Sequence, residues 1–229
     1  MNSLTSESVK ARILKNVRAF KLIRENDIKW NATPNLFAFT NAIYNMETLA
    51  WVTPSPNQFI NKTTGYAFEF GMGPEDVNYA NNFISEFLVS VFNEHESDDM
   101  CQVILTIMSS FLTVGNKEEV AYFFLGTGRN GKGALTELLK SALGSYFAEL
   151  NGNYYIHESK GTELVNNNVA DCAGALLLNT SEIGLDKNGK PNKFLVDVFK
   201  RMTGRDMITV RRLHSQATIY FIPSKTTIL

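Results

Sequence analysis

The segment Val120-Ala-Tyr-Phe-Phe-Leu-Gly-Thr-Gly-Arg-Asn-Gly-Lys-Gly133 carries the strongest structural signal in this chain. Its first six residues are apolar and a glycine follows them, which is typical of a short strand buried in a parallel sheet. Between residues 131 and 143 the apolar residues recur at helical spacing, and Gly144 is placed to end that helix. The segment therefore predicts a strand, a glycine-rich turn and a helix, the basic unit of an α/β fold.

The glycine-rich turn matches the pattern Gly-x-x-x-x-Gly-Lys, which is typical of phosphate-binding loops. Glycines let backbone N–H groups surround phosphate oxygens, and the helix N-terminus adds partial positive charge. Lys132 then reaches the β- and γ-phosphates. A plain turn with a capping glycine is the alternative, but the flanking strand and helix favour phosphate binding. The predicted ATP-binding residues are Gly126, Thr127, Gly128, Arg129, Asn130, Gly131, Lys132, Gly133 and Ala134.

The residue after the lysine departs from the usual pattern. A P-loop normally has Ser or Thr there, and its hydroxyl binds Mg²⁺. In this chain the residue is Gly133. Either a water molecule replaces that ligand, or metal binding depends on other groups.

The same turn also reads Gly-x-Gly-x-x-Gly, the fingerprint of dinucleotide-binding folds. That fold requires an acidic residue about 20 residues later, at the end of a second strand. Glu149 lies near that distance, but the residues before it are not a β-branched run and Gly144 interrupts them. A dinucleotide site would also leave Lys132 without a role, so we favour an ATP site.

A second buried strand is predicted at Ala175-Leu-Leu-Leu-Asn-Thr180, and Glu182 follows it. A motor ATPase needs a carboxylate at the tip of a strand near the phosphate loop, where it holds Mg²⁺ and polarises the attacking water. Glu182 is therefore the predicted catalytic and metal-binding carboxylate, acting on Mg²⁺ directly or through water. The alternative is a polar residue that only marks where the strand leaves the core.

The rest of the chain divides near residue 117. Residues 1–117 are predicted to form a small, mostly helical N-terminal lead-in region, and residues 118–229 a P-loop ATPase domain. An exposed basic amphipathic helix is expected near the N-terminus, with Val9 and Ile13 on its apolar side. The other predicted elements are helices over residues 74–92, 98–114 (ended by Gly115) and 194–202, strand-like pieces at 36–39 and 66–70, and a hairpin of residues 207–213 and 217–222.

Composition excludes several classes of protein. The chain has 229 residues, of which 44% are hydrophobic and 20% are charged, so it is neither disordered nor a low-complexity polymer. Its 22 Lys and Arg against 23 Asp and Glu give a net charge of −1, which rules out a globally basic nucleic-acid binder. Two distant cysteines in apolar surroundings fit a reducing compartment. No apolar run approaches the roughly 18 residues of a membrane span, so we expect a cytoplasmic protein without a membrane partner.

Three sequence motifs together resemble the superfamily 3 helicase domain. They are the loop ending in Gly133, the strand followed by Glu182, and Lys200-Arg-Met-Thr-Gly-Arg-Asp206 with Arg211 after it. The closest likeness is to the poxvirus-type primase-helicases of large DNA viruses and to related phage and plasmid primases, which also have the Asn-Gly-Lys-Gly form. The motif residues carried over are Lys200, Thr203, Gly204, Asp206 and Arg211. Residues 37–46 and 64–66 also resemble the short lead-in of that family, but Ala42, Asn45 and Met46 depart from it, so only a structural role is carried over.

This resemblance implies an AAA+-like motor that hydrolyses ATP with Mg²⁺ and translocates on single-stranded or forked DNA. It implies a homo-oligomeric ring, expected to be a hexamer, in which a neighbouring subunit supplies an arginine finger. Arg211, Arg212 and His214, near the tip of the predicted hairpin, become candidates for DNA phosphate contacts. Solvated charges on a surface hairpin are the alternative. The family's sensor asparagine and arginine finger follow the strand near Thr226, so the domain is expected to be incomplete at its C-terminus. In a virus-infected cell, the expected location is the host cytoplasm or the viral replication site.

Two other functions stay open from the sequence. One is a different P-loop NTPase, such as a small-molecule kinase, for which an arginine-rich lid would be expected. The other is an assembly module that binds nucleotide without turning it over. ATP turnover measured with and without single-stranded DNA separates these possibilities from a helicase motor.

Overall fold

The computed structural model describes residues 7–19, 30–31, 33, 35–92, 97–126, 130–156, 164–180, 193–215 and 217–228. The helices are α1 (Glu7–Ala19), α2 (Pro74–Phe92), α3 (Ser97–Ser110), α4 (Lys132–Leu143), α5 (Asn167–Asp171) and α6 (Val196–Thr203). The strands are β1 (Leu36–Ala38), β2 (Ile43–Asn45), β3 (Ala50–Val52), β4 (Ala121–Phe123), β5 (Phe147–Glu149), β6 (Leu164–Val165), β7 (Leu177–Thr180), β8 (Ile208–Arg211), β9 (Thr218–Phe221) and β10 (Lys225–Ile228). Within these residues, no helix has the length and apolar content needed to cross a bilayer.

The central sheet is parallel and has the strand order β4-β10-β7-β5. Strand β10 comes last in the described chain but lies between β4 and β7, with Thr226 paired to both Ala121 and Leu178. All four of its residues are buried. In dinucleotide-binding folds the second strand lies directly beside the first. Here β5, the next strand of the sheet along the chain, lies at the opposite edge from β4, so the topology argues against the dinucleotide interpretation.

The sheet is covered on both faces, as expected for a parallel α/β arrangement. On one face Phe147 and Leu177 share a core with Leu135 and Leu139 of α4 and with Phe111, which follows α3. A second core contains Ala148 and Leu178 of the sheet together with residues of α5, α6 and the β8–β9 hairpin: Val169, Val198, Met202, Val210 and Phe221. The mixed α/β architecture with a parallel sheet agrees with the α/β part of the predicted fold class, and the P-loop NTPase assignment stays a prediction.

A small antiparallel sheet of β1, β2 and β3 packs against the α4–β5 connection. The ring of Phe37 stacks on Tyr146 with 4.8 Å between ring centroids, and the Tyr146 hydroxyl accepts a hydrogen bond from the Ala38 N–H at 2.9 Å. Residues on both sides of position 117 thus contribute to one core. The division into domains at 117/118 stays a prediction.

Several predicted elements are confirmed. The structure contains the N-terminal helix, the helix over residues 74–92, the buried strand β7 and the predicted hairpin, now β8 paired antiparallel with β9. The other predicted strand forms as β4, but it is not buried, because it lies at the edge of the sheet and Phe123 is 49% exposed. Helix α3 ends earlier than predicted because the N–H groups of residues 111–113 donate to carbonyls three residues back, which closes tight turns before Gly115. Strand β5 and the small sheet around β2 and β3 were not predicted.

Residues 66–70 do not form the predicted strand. The Phe68 N–H donates to the Asn41 side-chain carbonyl at 2.8 Å, and the Phe68 carbonyl accepts from the Asn41 amide at 2.9 Å. The side chain of Asn41 therefore makes the two backbone hydrogen bonds that a neighbouring strand would otherwise make. Pairing of this kind leaves no periodic pattern in the sequence.

Lys225 begins β10 but is only 1% exposed. Its ammonium donates to the Thr113 hydroxyl at 2.7 Å and to the Gly115 carbonyl at 3.0 Å, just beyond the end of α3. Burial lowers the pKa of Lys225, and the carboxylate of Glu118, 3.8 Å away, opposes that shift. The hydrogen bonds of Lys225 thus hold the start of β10 against the turn that leads into β4.

Replacement of Lys225 by methionine is expected to destabilise the fold by about 1–3 kcal/mol, since the Thr113 hydroxyl and the Gly115 carbonyl lose a charged donor. Methionine keeps most of the apolar stem, so the loss reports mainly the hydrogen bonds. Urea unfolding measures the change. Lys193→Met, at an exposed position, is the matched control and should alter stability by less than about 0.5 kcal/mol. Equal stability of both variants would show that the Lys225 contacts contribute nothing.

Candidate nucleotide-binding site

The glycine-rich loop lies where β4 leaves the sheet. The Phe124 N–H still donates to the Ile228 carbonyl of β10 at 2.9 Å, and Leu125 then turns into solvent. Helix α4 begins six residues after Gly126. Of the nine predicted ATP-binding residues, the structure describes Gly126 and residues 130–134; Thr127, Gly128 and Arg129 lie outside the described residues. The predicted strand–loop–helix order is present.

Among the described residues, no side chain caps the N-terminus of α4. Its N-cap residue is Gly131, with φ of 81°, and no side chain there accepts a hydrogen bond from the first turn. The first N–H groups of any α-helix have no partner inside the helix, and the helix dipole gives this end partial positive charge. Amides of residues 131–134 are therefore in the chemical setting that binds a phosphate group.

Lys132, the first residue of α4, adds a full positive charge to this end of the helix. Its ammonium donates to the Gly126 carbonyl at 3.4 Å, so the side chain reaches back to the residue where the loop begins. This places the cation, the helix N-terminus and the loop backbone within one small volume. An anion bound there would contact all three.

Packing restricts Gly131 of the loop more strongly than Gly126, whose nearest atoms are the ends of side chains that can move. A Cβ at Gly126 would collide with the side-chain amide of Asn130 and would lie 3.1 Å from the Lys132 ammonium. At Gly131 a Cβ would collide with the side chain of Val91, near the end of α2, and the backbone is already in the left-handed region. The contact with Val91 ties the loop to the N-terminal helices. Nothing in the sequence pointed to Val91.

Gly133 differs from these two because a Cβ there would meet no atom within 4 Å. We therefore expect Gly131→Ala to destabilise the protein by about 2–4 kcal/mol, from the left-handed backbone and the collision with Val91. Gly133→Ala, two residues away, should be neutral or stabilising by up to about 1 kcal/mol because alanine favours helix. Thermal unfolding of the two variants checks this difference. A stable Gly131→Ala variant would contradict the described backbone.

The second predicted element, the strand before Glu182, is β7. It ends at Thr180, and its carboxyl end lies at the same edge of the parallel sheet as that of β4, with β10 between them. On this strand the buried Asn179 accepts a hydrogen bond from the Thr227 hydroxyl of β10 at 2.9 Å. Glu182 itself lies outside the described residues. Its assignment as the catalytic and metal-binding carboxylate stays a prediction.

The motif around residues 200–206 lies beside the turn that precedes β4, at the amino-terminal ends of the strands. Thr203 is buried at the end of α6, where its carbonyl accepts from the Asn116 amide at 2.8 Å, and the Gly204 N–H donates to the Lys200 carbonyl at 2.7 Å. Lys200 and Asp206 are exposed. Through Asn116, the motif holds the end of α6 against the turn that precedes β4. These described contacts are structural and do not involve the glycine loop.

The three predicted DNA-binding cations lie close together at one end of the β8–β9 hairpin. Arg211 donates to the Ser215 carbonyl at 2.8 Å and so closes the turn, while Arg212 forms a 2.6 Å ion pair with Asp171. His214 occupies the turn with φ of 62° and is exposed. The structure thus brings the three together but gives both arginines protein partners, which the sequence did not predict.

Two further features concern possible ligands. Among the described residues, no group of three or more His, Cys, Asp or Glu side chains is arranged to hold a metal ion. An open groove of about 870 Å³ lies on the small sheet, between residues 38–43 and 54–63. Its lining includes no residue of the glycine loop, so the groove is separate from the candidate nucleotide site.

Comparison with known proteins gives distant relatives. No protein-family model matches the chain. The chain is 27% identical over 188 residues to "Putative helicase L207/L206" of Acanthamoeba polyphaga mimivirus, covering 82% of this chain and 18% of that protein. It is 22% identical over 221 residues to "Putative helicase 121R" of Invertebrate iridescent virus 3, covering 95% of this chain and 22% of that protein. The A form apo structure of the NrS-1 C-terminal region superposes with a TM-score of 0.49 at 13% identity, covering 96% of this chain and 46% of that one.

The two viral relatives have similar names, and most of the length of each has no counterpart in this chain. The chain spans about a fifth of the length of the two curated relatives. Both relatives are viral and both bear the name putative helicase. By sequence, the chain is therefore similar to a segment of helicase-like proteins from large DNA viruses.

Proposed function

We propose that this chain is the ATP-binding part of a viral replicative helicase motor, which hydrolyses ATP to translocate on DNA. The observation that carries this proposal is the glycine-rich loop between the parallel strand β4 and helix α4, whose N-cap is a glycine, with the Lys132 ammonium reaching back to the Gly126 carbonyl. The names of the two viral relatives support the same assignment.

The described residues fit a triphosphate. Backbone amides of residues 131–134 point from the helix N-terminus and would hold phosphate oxygens, while Lys132 would neutralise the β- and γ-phosphates. Gly126 has no side chain, so the loop backbone at this position can approach a ligand closely, with the side chains of Asn130 and Lys132 beside it. Catalysis of phosphoryl transfer is mostly positioning and charge stabilisation, and this loop supplies both.

Mg²⁺, when bound with ATP, would neutralise charge on the phosphates and orient the attacking water. Gly133 has no hydroxyl to offer the metal, and the space beside it is open. A water molecule would fit at the position that Ser or Thr normally fills. Glu182, two residues beyond the end of β7, would then hold the metal through water and polarise the nucleophile.

DNA and a ring of subunits are the proposed partners. The hairpin cations Arg212 and His214 are exposed, although Arg212 is paired with Asp171. Phosphate contacts of such cations would make DNA binding weaker at higher salt. A neighbouring subunit would supply the arginine that completes the ATP site, as in related motors.

The experiment is steady-state ATP turnover by a chain extended to the length of the viral relatives, with and without single-stranded DNA. A helicase motor predicts turnover that DNA stimulates. Nucleotide binding without turnover in either condition would favour an assembly module. Turnover that depends on a small phosphate acceptor, and not on DNA, would favour a kinase.

A further inference from the structure

The open groove on the small sheet combines two aromatic rings with one positive charge. Trp30 and Phe59 line it, with 45% and 39% of each residue exposed, and their ring centroids lie 6.3 Å apart in edge-to-face geometry. Among the described residues that line the groove, Lys62 is the one charged side chain and none is a carboxylate. Single-stranded nucleic acid is bound by this combination, because bases stack on the rings and phosphates meet the positive charge.

Hydrogen bonds hold the two rings in place. The N–H of Asn31, next to Trp30, donates to the Phe59 carbonyl at 2.9 Å. The Asn31 amide donates to the Asn61 side-chain carbonyl at 2.7 Å, and the Asn61 backbone N–H donates to the Asn31 side-chain carbonyl at 3.1 Å. Phe59 has φ of 45°, in the left-handed region that bulky residues rarely adopt, and such strain is concentrated at ligand sites. Rings that are already in position lose less entropy when a base stacks on them.

Lys62 connects the groove to the cations of the β8–β9 hairpin. Its ammonium donates to the Asp171 carbonyl at 3.3 Å, and the Asp171 carboxylate pairs with Arg212 at 2.6 Å. Burial lowers the pKa of Lys62, the Asp171 carboxylate opposes that shift, and the charge of Arg212 adds to it. Two cations therefore lie close to one carboxylate, and the excess positive charge favours a phosphate. Lys62 can also donate further, since an ammonium has three N–H donors and the described residues accept from it once.

The amide side chains of the groove favour stacking over recognition of base edges. Asn41 exchanges two hydrogen bonds with the backbone of Phe68. Gln58 accepts from the Ser55 N–H and donates to the Thr53 carbonyl. Both amides are engaged within the protein, so binding in the groove would depend little on sequence. Bases in a duplex are already stacked and paired, so the rings favour a single strand.

We propose that this groove binds single-stranded DNA, with bases stacked on Trp30 and Phe59 and the phosphate backbone running past Lys62 to Arg212. The choice of DNA as the strand rests on the proposed function, whereas the stacking and charge of the groove do not involve the glycine-rich loop. The hairpin supplies cations, and the groove adds the aromatic contacts that hold the bases. The strand would thus be gripped at two places on either side of Asp171.

Tryptophan fluorescence of the full chain tests the groove, because the chain has two tryptophans, Trp30 and Trp51. Trp51→Phe leaves Trp30 as the single reporter, and Trp30→Phe leaves Trp51. Each variant is titrated with an oligothymidylate of about 16 nucleotides, without ATP or Mg²⁺. Fluorescence anisotropy of the labelled oligonucleotide measures affinity at several salt concentrations, and circular dichroism checks that each variant is folded.

The oligonucleotide is expected to quench the emission of Trp51→Phe and to leave that of Trp30→Phe unchanged. Trp30→Ala should bind it about fivefold or more weakly, since one stacked base is lost. Lys62→Gln should reduce the slope of log affinity against log salt by about 0.7, the value for one phosphate of a single strand. Lys117→Gln, exposed and outside the groove lining, is the matched control and should keep the affinity and slope of the wild type.

Four results would overturn the assignment of the groove. Quenching of Trp51 without quenching of Trp30 would place the strand on the exposed rings around Trp51. Wild-type affinity in both Trp30→Ala and Lys62→Gln, with loss in Arg212→Ala, would leave DNA on the hairpin alone, and the proposed motor would stand. Equal quenching of Trp30 by thymidine triphosphate would make the groove a site for free nucleotides. An oligonucleotide that does not bind at all would contradict the groove and the proposed DNA partner together, while ATP turnover tests the motor separately.

Discussion

Replacement of Lys132 by alanine is expected to remove most of the affinity for ATP. The ammonium is the one full charge of the described loop, and each hydrogen bond from a charged donor to phosphate contributes about 1.5–3 kcal/mol. Loss of contacts to two phosphates should cost about 3 kcal/mol or more, which is roughly a hundredfold weaker binding. Isothermal titration of ATP with Mg²⁺ into each protein measures this difference.

Lys140→Ala is the matched control for that variant. Lys140 lies in the last turn of the same helix, is exposed, and pairs with Glu149 at 2.8 Å. Its removal should leave ATP affinity unchanged. If Lys132→Ala binds ATP as well as the wild type, the glycine-rich loop is not the nucleotide site, and the assignment of phosphate binding to it fails.

Glu182→Gln is expected to preserve ATP binding and to lower turnover by about 10²–10⁴, the contribution of a positioned general base. The amide keeps the shape of the side chain but removes the charge that holds Mg²⁺ and polarises water. The measurement is ATP turnover together with ATP affinity, in a chain extended to the length of the viral relatives. A fall in turnover at constant affinity separates a catalytic role from a structural one.

Glu137→Gln provides the control for the second variant. Glu137 is an exposed carboxylate on α4, so its neutralisation changes net charge equally without touching the predicted site. Turnover of Glu137→Gln should match the wild type. Normal turnover of Glu182→Gln would assign Glu182 to the surface where β7 leaves the core.

Local signals in the sequence predicted individual elements well. The bounds of α2 agree with the prediction because Pro74 begins the helix and Glu75 and Asp76 favour its first turn. The glycine at position 144 ends α4 as expected. These signals act within one or two turns of the chain, so they can be read without knowing what the element packs against.

Long-range pairing could not be predicted in the same way. The insertion of β10 between β4 and β7 depends on contacts across more than a hundred residues for β4, and no local pattern encodes that order. Lys225 is buried because the Thr113 hydroxyl and the Gly115 carbonyl, beyond α3, accept its hydrogen bonds, and no local pattern around it indicates that burial. Strand β5 has only three residues after a glycine, too few for a period of two to be visible.

The sequence predicted the glycine-rich loop and the helix after it, but not the tertiary contacts around them. Phosphate binding by this loop stays a prediction. The loop motif located Lys132 and the N-terminus of α4, because glycine and lysine at this spacing have a direct chemical reason. The packing of Val91 against Gly131 and the ion pair between Arg212 and Asp171 arise from tertiary contacts. Such contacts decide whether a cation is available to a ligand, which a motif alone does not show.

Hydrogen–deuterium exchange of the chain, with and without ATP and Mg²⁺, tests the nucleotide site most directly. Binding at the loop predicts slower exchange in peptides that cover residues 126–134, because phosphate oxygens accept hydrogen bonds from those amides. Peptides covering the groove at residues 38–43 and 54–63 should be unchanged. Saturating ATP that leaves residues 126–134 unprotected, or that protects the groove instead, would contradict the account.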